Sequence, residues 1–183
     1  MCGRNRQTVK NSSAQKHSLI NKPARMNAFI KLVRNPLKFR MFLLLRLPGA
    51  YFTGVRIKSI SKEKCVVTVP YKWFSRNPFG STYFACLAMA AEMSTGALCL
   101  ANIYKRSPSV SMLITDMNAA YYKKATDLTS FVCRDGIALR DAIEEAIAAN
   151  GDNMITVQTT GTNEAGELVA VFNFTWSFRV RRK

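Results

Sequence analysis

The chain contains a single histidine, and the lack of others excludes several kinds of active site. His17 is the one histidine in 183 residues, and it lies in a polar N-terminal stretch. A Ser-His-Asp triad, a Cys-His pair or a His-ligated metal therefore has no histidine to use in the apolar part of the chain. The five cysteines form no Cys-x-x-Cys pair, so we expect reduced thiols, a cytoplasmic protein and no metal.

The first third of the chain also lacks acidic residues. Residues 1–62 contain 14 of the 27 Lys and Arg and none of the 11 Asp and Glu, so most of the net charge of +16 belongs to the N-terminal part. Such an arm can contact RNA, DNA or anionic lipid through charge alone, or it can be a solvated tail. We expect no specific nucleic-acid site. Residues 1–25, which contain no apolar run typical of a secretory signal, are expected to form a basic disordered tail.

Residues 26–49 are predicted to form a basic amphipathic helical segment. Apolar and basic residues alternate there at helical spacing, and Pro36 is expected to break or kink the helix. Two interpretations stay open. The segment either packs on the domain, or it contributes to an anionic membrane surface contact made by residues 1–47, which would make the protein peripheral to a membrane.

Residues 50–183 have the pattern of one α+β domain. Alternating apolar residues predict a hairpin over 55–69 and strands over 110–119, 128–133, 153–161 and 167–180, while a long helix over 82–104, with Ser81 or Thr82 as its N-cap, and a short helix over 137–149 interrupt them. A helix that is apolar on all sides must be covered on all sides. We expect a curved antiparallel sheet to wrap the long helix, with N-terminal helices or a second copy closing the remaining side.

Glu92 is the one charged residue in the apolar run from Tyr83 to Leu100. The run is long enough to span a bilayer, but a central carboxylate is costly in lipid and argues against that interpretation. A buried carboxylate also has to be paired, hydrogen-bonded or protonated. Small residues share its helix face, so Glu92 either lies in a groove floor for a ligand or bonds a backbone amide where the helix packs on a symmetry mate.

The segment NPFGSTYFACLAMAAEMSTG, residues 77–96, resembles the central-helix motif of the hotdog-fold thioesterases. In that family a loop asparagine precedes a helix acid by fifteen residues, and Asn77 and Glu92 keep this spacing. DMNAAYYKKA, residues 116–125, resembles the family's D-x-N-x-x-Y/F-x-x-P-A strand. The resemblance covers about residues 50–180 and is closest to an uncharacterised branch of the phenylacetyl-CoA thioesterase-like proteins. It implies a hotdog fold, a homodimer or dimer of dimers, and an acyl-CoA or acyl-carrier thioester as substrate.

The resemblance also implies roles for individual residues. Asn77 and Glu92 are the expected catalytic pair, and no cofactor is expected beyond coenzyme A as part of the substrate. Substrate contacts are expected from the loop glycine, the start of the helix, a helix hydroxyl and two lysines that could meet phosphates: Gly80, Tyr83, Phe84, Ala85, Thr95, Lys123 and Lys124. The family's His-Gly-Gly is replaced by Tyr83-Phe84-Ala85, its proline by Lys124, and the helix at 137–149 is an addition.

Three functions follow as hypotheses. The first is an acyl-thioester hydrolase in which Glu92 acts as general base or nucleophile and the N-terminus of the helix stabilises the oxyanion. The second is a hotdog protein that binds an acyl chain or acyl-CoA without hydrolysing it. The third is a basic adaptor that binds a membrane or RNA through its N-terminal arm.

Overall fold

A curved antiparallel sheet wraps one long helix, and three N-terminal helices close part of the open side. The computed structural model describes residues 22–181. Its helices are α1 (Lys22–Arg34), α2 (Pro36–Arg46), α3 (Pro48–Thr53), α4 (Phe84–Ile103) and α5 (Gly136–Ala148), and its strands are β1 (Arg56–Ile60), β2 (Cys65–Val69), β3 (Val110–Tyr121), β4 (Thr129–Cys133), β5 (Asp152–Thr162) and β6 (Leu168–Val180).

The six strands form one open sheet in the order β1-β2-β4-β5-β6-β3. Every neighbouring pair is antiparallel, and β3 pairs along its length with β6, while no strand from residues 22–181 lies at its other edge. The alternation expected in the last strand is confirmed, because the aromatic residues of one β6 face are buried and the polar residues of the other are only partly covered: Phe172, Phe174, Trp176 and Phe178 form the covered ladder. The mixed α+β architecture is therefore confirmed.

Helix α4 forms the centre of the core because nearly all its side chains are small or apolar. Twelve of its twenty residues are buried, among them Ala90, Ala91, Leu98 and Cys99. It is the one helix among the described residues long and apolar enough to cross a membrane, but 67% of its apolar window is buried inside the protein. This burial is what a core helix of a folded domain requires.

The N-terminal helices cover one side of α4. Phe29 and Val33 of α1 are buried in the same core, and the Phe29 ring lies 5.8 Å from the ring of Tyr104 at the end of α4. Asn35 caps α2 by accepting a hydrogen bond from the Lys38 N–H, and Pro36 starts the helix. The expected break at Pro36 is thus a boundary between two helices. Helix α1 starts at Lys22, and the rest of the expected tail lies outside the described residues.

The predicted N-cap of the central helix is wrong. Neither Ser81 nor Thr82 caps α4, because the chain stays extended up to Tyr83, which is the N-cap residue and makes no side-chain cap bond. Thr82 forms an isolated antiparallel β-bridge with Arg76 and donates its N–H to the Ala125 carbonyl, so its backbone is extended and paired instead of starting the helix. Sequence spacing alone could not reveal this pairing.

Candidate active site

An open groove of about 710 Å³ lies at the N-terminal end of α4. Its walls come from the loop before α4 and from the end of β3, which are held together by the hydrogen bond from Thr82 to Ala125. Five of the predicted site residues line it, namely Asn77, Tyr83, Phe84, Lys123 and Lys124. Among the other lining residues, the sequence analysis did not single out Arg76, Leu87, Tyr121 and Tyr122, although the last three lie inside the quoted motifs.

Asn77 shapes the loop that forms one wall of the groove. Its side-chain oxygen accepts the N–H of Phe79 at 3.0 Å and the N–H of Ser81 at 3.2 Å, and its Nδ2 donates to Ser81 Oγ at 3.1 Å. Gly80 closes this turn with a φ of 72°, which favours glycine. The amide oxygen is therefore committed to the loop, whereas one of the two Nδ2 hydrogens is left for another acceptor.

Among the described residues, the first backbone N–H groups of α4 are unpaired at the end of the helix where Phe84 lines the groove. Cys86 and Leu87 both donate to the Tyr83 carbonyl, but the N–H groups of Phe84 and Ala85 have no acceptor within the described part of the chain. Unpaired N–H groups at a helix start carry a partial positive charge and suit a developing oxyanion. The Tyr83 and Phe84 rings, 4.9 Å apart and both exposed, stand at the mouth of this groove.

Glu92 lies deeper, eight residues after Phe84 in α4, and its carboxylate occupies the space beside Gly96 that a side chain would need. A Cβ at Gly96 would fall 2.6 Å from Glu92 Oε1 and 3.5 Å from Trp176 Cη2. The carboxylate therefore folds over the bare backbone of Gly96 beside the Trp176 ring. Within residues 22–181 its oxygens have no hydrogen-bond or ion-pair partner. Burial raises the pKa of Glu92 from 4.5 to about 7.

Thr95 supports this region, but it does not bond the carboxylate. Its hydroxyl donates to the Glu92 backbone carbonyl at 3.0 Å and accepts from Trp176 Nε1 at 3.1 Å. The Trp176 ring is thereby fixed beside Glu92. Trp176 is a site neighbour that the sequence analysis placed only in the core, since a contact across 81 positions leaves no local signal.

The thiols in this region are poor candidates for a nucleophile. Burial raises the pKa of Cys99 well above its ordinary value, and Cys133 and Glu92 add to the rise. Burial likewise raises the pKa of Cys133 to about 11. A thiol of raised pKa carries little thiolate at neutral pH. No group of three His, Cys, Asp or Glu side chains within residues 22–181 could hold a metal ion.

The two lysines at the groove are already engaged. Lys123 forms an ion pair with Glu167 at 2.5 Å, and this partner lowers the pKa of Glu167. Lys124 lies 3.4 Å from the carbonyl oxygen of Phe79 across the groove. A phosphate that met Lys123 would have to share it with Glu167. The expected substrate contacts therefore lie in two places. Tyr83, Phe84, Lys123 and Lys124 line the groove, whereas Ala85 does not line it and Thr95 lies on α4 near Glu92.

A family model of a domain of unknown function, DUF4442, matches residues 38–178. The chain belongs to this family. No curated protein matches it in sequence. The DUF4442 match begins inside α2 and ends inside β6, so it includes the groove, α4 and the added helix α5.

Solved structures show that this DUF4442 chain has the hotdog fold. A Pseudomonas aeruginosa protein of unknown function, described as a probable thioesterase, is 21% identical with a TM-score of 0.68, and the match covers 80% of this chain and 97% of that one. A Haemophilus influenzae thioesterase is 14% identical with a TM-score of 0.58, covering 79% and 90%. The Escherichia coli PaaI protein from the phenylacetic acid degradation operon is 13% identical with a TM-score of 0.56, covering 77% and 90%. The predicted fold is confirmed.

Proposed function

We propose that the protein hydrolyses acyl thioesters, carried by coenzyme A or by an acyl-carrier protein, with Glu92 as the general base. The observation that carries the proposal is the Glu92 carboxylate, which is partly buried beside Gly96, has no hydrogen-bond or ion-pair partner among the described residues, and has a pKa raised to about 7. A base of this pKa exchanges a proton readily at neutral pH. A purely structural carboxylate at this depth would gain from a hydrogen-bond donor, and the described residues supply none.

The groove supplies the hydrogen-bond donors that polarise the thioester carbonyl. The thioester carbonyl binds at the start of α4, where the Phe84 and Ala85 N–H groups stabilise the negative charge that develops on its oxygen. Glu92 takes a proton from water, and the oxygen of that water bonds to the carbonyl carbon. The tetrahedral intermediate then breaks its C–S bond, and the proton held by Glu92 passes to the departing thiolate. Direct attack by the carboxylate on the carbonyl carbon is the other route open to Glu92.

A second copy of the chain is needed to unite the two halves. Eight residues separate Phe84 from Glu92, a rise of about 12 Å along the helix axis, and Glu92 does not line the groove. In the hotdog thioesterases that this chain resembles, asparagine and acid often come from different subunits. We therefore place Asn77 of one protomer opposite Glu92 of its partner in a homodimer. Two such homodimers could form a dimer of dimers, and we place the protein in the cytoplasm.

The free edge of the sheet supports this assembly. Met117 pairs with Phe174, and Tyr121 pairs with Ala170. Directly opposed residues point to the same side of a sheet, so Met117 and Tyr121 lie on the side that faces α4. They are nevertheless 49% and 48% exposed, whereas Met112, Ile114 and Ala119 of the same strand pack partly against the core. An edge strand of twelve residues, whose inner face is exposed at Met117 and Tyr121, is suited to pairing with a second copy.

Binding without turnover is the second candidate function. The bulky rings of Tyr83 and Phe84 at the groove mouth, and an Asn77 oxygen that its own loop uses, favour a site that holds an acyl group but positions water poorly. This protein would bind acyl-CoA and leave it intact.

The test is hydrolysis of a panel of acyl-CoA thioesters, of short, long and aromatic acyl groups, by the wild type and by Glu92→Gln. The variant keeps the shape of the side chain and removes the base, so kcat/KM is expected to fall by about 10² to 10⁴ for every substrate that the wild type hydrolyses. Glu164→Gln, at an exposed acid in the β5–β6 turn, is the matched control. Unchanged turnover by a folded Glu92→Gln protein contradicts the proposal, as does binding of acyl-CoA by a wild type that never hydrolyses it.

A further inference from the structure

Helix α2 carries a second apolar face for which the described chain offers no cover. Phe39 and Leu43 of α2 are buried against the domain. On the opposite side Leu37, Met41 and Leu45 follow each other at four-residue steps, which places them in one row along the helix. Leu37 and Leu45 are 73% and 72% exposed, and Met41 is about half exposed. Large aliphatic side chains at such exposure, aligned in a row, mark a contact surface rather than scattered surface residues.

An exposed aromatic cluster lies beside α2, linked to it through Arg40. The Arg40 guanidinium lies 4.8 Å from the centre of the Tyr51 ring, and the Tyr51 and Phe52 rings are 5.3 Å apart. Phe52 contacts Phe74 at 5.9 Å, and Phe74 contacts Trp73 at 4.9 Å. Phe52, Phe74 and Trp73 are all more than half exposed, and Trp73 reaches 71%. We call the α2 row together with Phe52, Trp73 and Phe74 the apolar face.

The charges around the apolar face have one sign. Every charged residue of α1 and α2 and of the segment 71–76 is basic, and those whose side chains are described are exposed: Lys31, Arg34, Lys38, Arg40, Arg46, Lys72 and Arg76. Such a surface is complementary to an anionic one. It is poorly suited to a second copy of the same face, because an isologous contact would bring these like charges together.

We infer that the apolar face docks on an anionic lipid bilayer, with the α2 row and the aromatic cluster inserted at the headgroup level and the basic residues on lipid phosphates and carboxylates. An interfacial helix has an apolar side in the acyl boundary and Lys and Arg beside the headgroups, and tryptophan is favoured at that depth. The side chains project from a helix and a turn instead of lining a groove, which suits a fluid lipid surface. The loop that carries Trp73 goes on to Arg76 and Asn77 in the groove wall. This inference does not depend on the proposed hydrolysis.

The experiment is co-sedimentation of the full chain with vesicles of phosphatidylcholine and phosphatidylserine in equal amounts, beside vesicles of phosphatidylcholine alone. The wild type is expected to sediment with the anionic vesicles and to be released by salt. The triple variant L37Q/M41Q/L45Q is expected to bind at least about tenfold more weakly, since it loses apolar burial while the basic tail is intact. The matched control is I137Q/M154Q, two exposed apolar residues outside the face.

Charge and insertion are tested separately. K38Q/R46Q is expected to weaken binding, whereas K64Q/R134Q, at the neighbouring ends of β2 and β4, is expected to bind as the wild type does. The chain has two tryptophans, and Trp176 is only 3% exposed. A blue shift of the emission on adding anionic vesicles therefore reports insertion of Trp73, and it is expected to vanish in Trp73→Phe.

Four outcomes would overturn the inference. The first is a folded wild type that does not bind anionic vesicles, and the second is equal binding by the triple variant and the wild type. The third is a wild-type oligomer that dissociates in the triple variant. The fourth is binding of a short single-stranded RNA by the wild type but not by the triple variant, with no binding to vesicles. The third would assign the face to contacts between copies and the fourth to RNA.

Discussion

At Gly96 the missing side chain makes the space in which the Glu92 carboxylate lies. Alanine favours helix by about 1 kcal/mol over glycine, so Gly96→Ala is expected to fold with unchanged or slightly raised stability once the carboxylate swings aside. Because the base is then displaced, kcat/KM is expected to fall by tenfold or more, roughly the effect of a misplacement of about 1 Å. Thermal unfolding and acyl-CoA hydrolysis measure the two effects.

The control for this variant is Gly49→Ala. The added methyl there would meet Met89 Sδ at 3.7 Å, which is an ordinary contact. Activity that is equal in Gly96→Ala and Gly49→Ala would contradict the importance of the carboxylate position.

Glu92 also sets a pH dependence of stability. Its pKa is about 7 in the folded protein and near 4.5 in the unfolded chain, so below pH 4.5 the acid is neutral in both states and costs nothing. As the pH rises from 4.5 to 7 the unfolded state ionises first, and stability is lost; above 7 the loss is constant. Glu92→Gln is therefore expected to be more stable than the wild type by about 3 kcal/mol at pH 8, with the difference shrinking toward pH 4.5.

Urea unfolding at several pH values measures this difference. Glu164→Gln is the control, and a wild type and Glu92→Gln protein with the same pH dependence would show that the carboxylate is solvated. Activity should rise with pH through about 7 in the same protein, because only the ionised carboxylate accepts a proton.

The roles of single residues were predictable from the sequence to different degrees. Glu92 is the one charged residue among small and apolar residues within four positions on each side, and this local signal predicted a buried acid. The partner of Lys123 could not be predicted in the same way, since Glu167 lies 44 positions away and many surface acids could have met that lysine. The prediction of the α4 N-cap failed for a related reason. The carbonyls of Ala125 and Ser75 accept the backbone N–H groups just before the helix, and neither contact leaves a local signal in the sequence.

Strand β3 is the element on which the proposed assembly depends. Met117→Lys would place a charge on the inner face of β3, where a partner chain would bury it. The dissociation constant of the dimer is therefore expected to rise by about a hundredfold or more. Sedimentation velocity over a range of concentrations measures the constant. Met154→Lys, at an exposed position of the interior strand β5, is expected to leave the dimer intact. A dimer that Met117→Lys does not weaken would exclude this edge as the interface.

Elements were more predictable than their packing partners. The α-helices and strands after residue 54 begin and end within two residues of their expected bounds, because periodicity and turn residues are local properties. Helix α3, which ends at Thr53, extends past the expected end of the helical segment at residue 49. The sequence left open whether residues 26–49 pack on the domain or lie on a membrane. The structure shows that Phe29, Val33, Phe39 and Leu43 pack, whereas the α2 row on the opposite side does not. One helix can serve both purposes, and periodicity alone does not separate its two faces.

At the scale of the whole molecule, the proposed site requires groups from two chains. The groove and its N–H donors belong to one end of α4, and the base lies about two turns further along the same helix. The face of α4 that carries Glu92 and Gly96 packs beside Trp176, and Trp176 pairs with Ile114 of the edge strand β3. The carboxylate therefore lies on the side of the core toward the free edge, which is the side a partner would approach.

Complementation between two inactive variants tests this shared site most directly. Asn77→Ala and Glu92→Gln, each inactive alone and each confirmed as folded by its thermal transition, are mixed in equal amounts and allowed to exchange protomers. In a mixed dimer one site combines the intact Asn77 of one chain with the intact Glu92 of the other, so the mixture is expected to recover about a quarter of wild-type hydrolysis. A mixture no more active than its separate components would contradict a catalytic site shared by Asn77 and Glu92 across two chains.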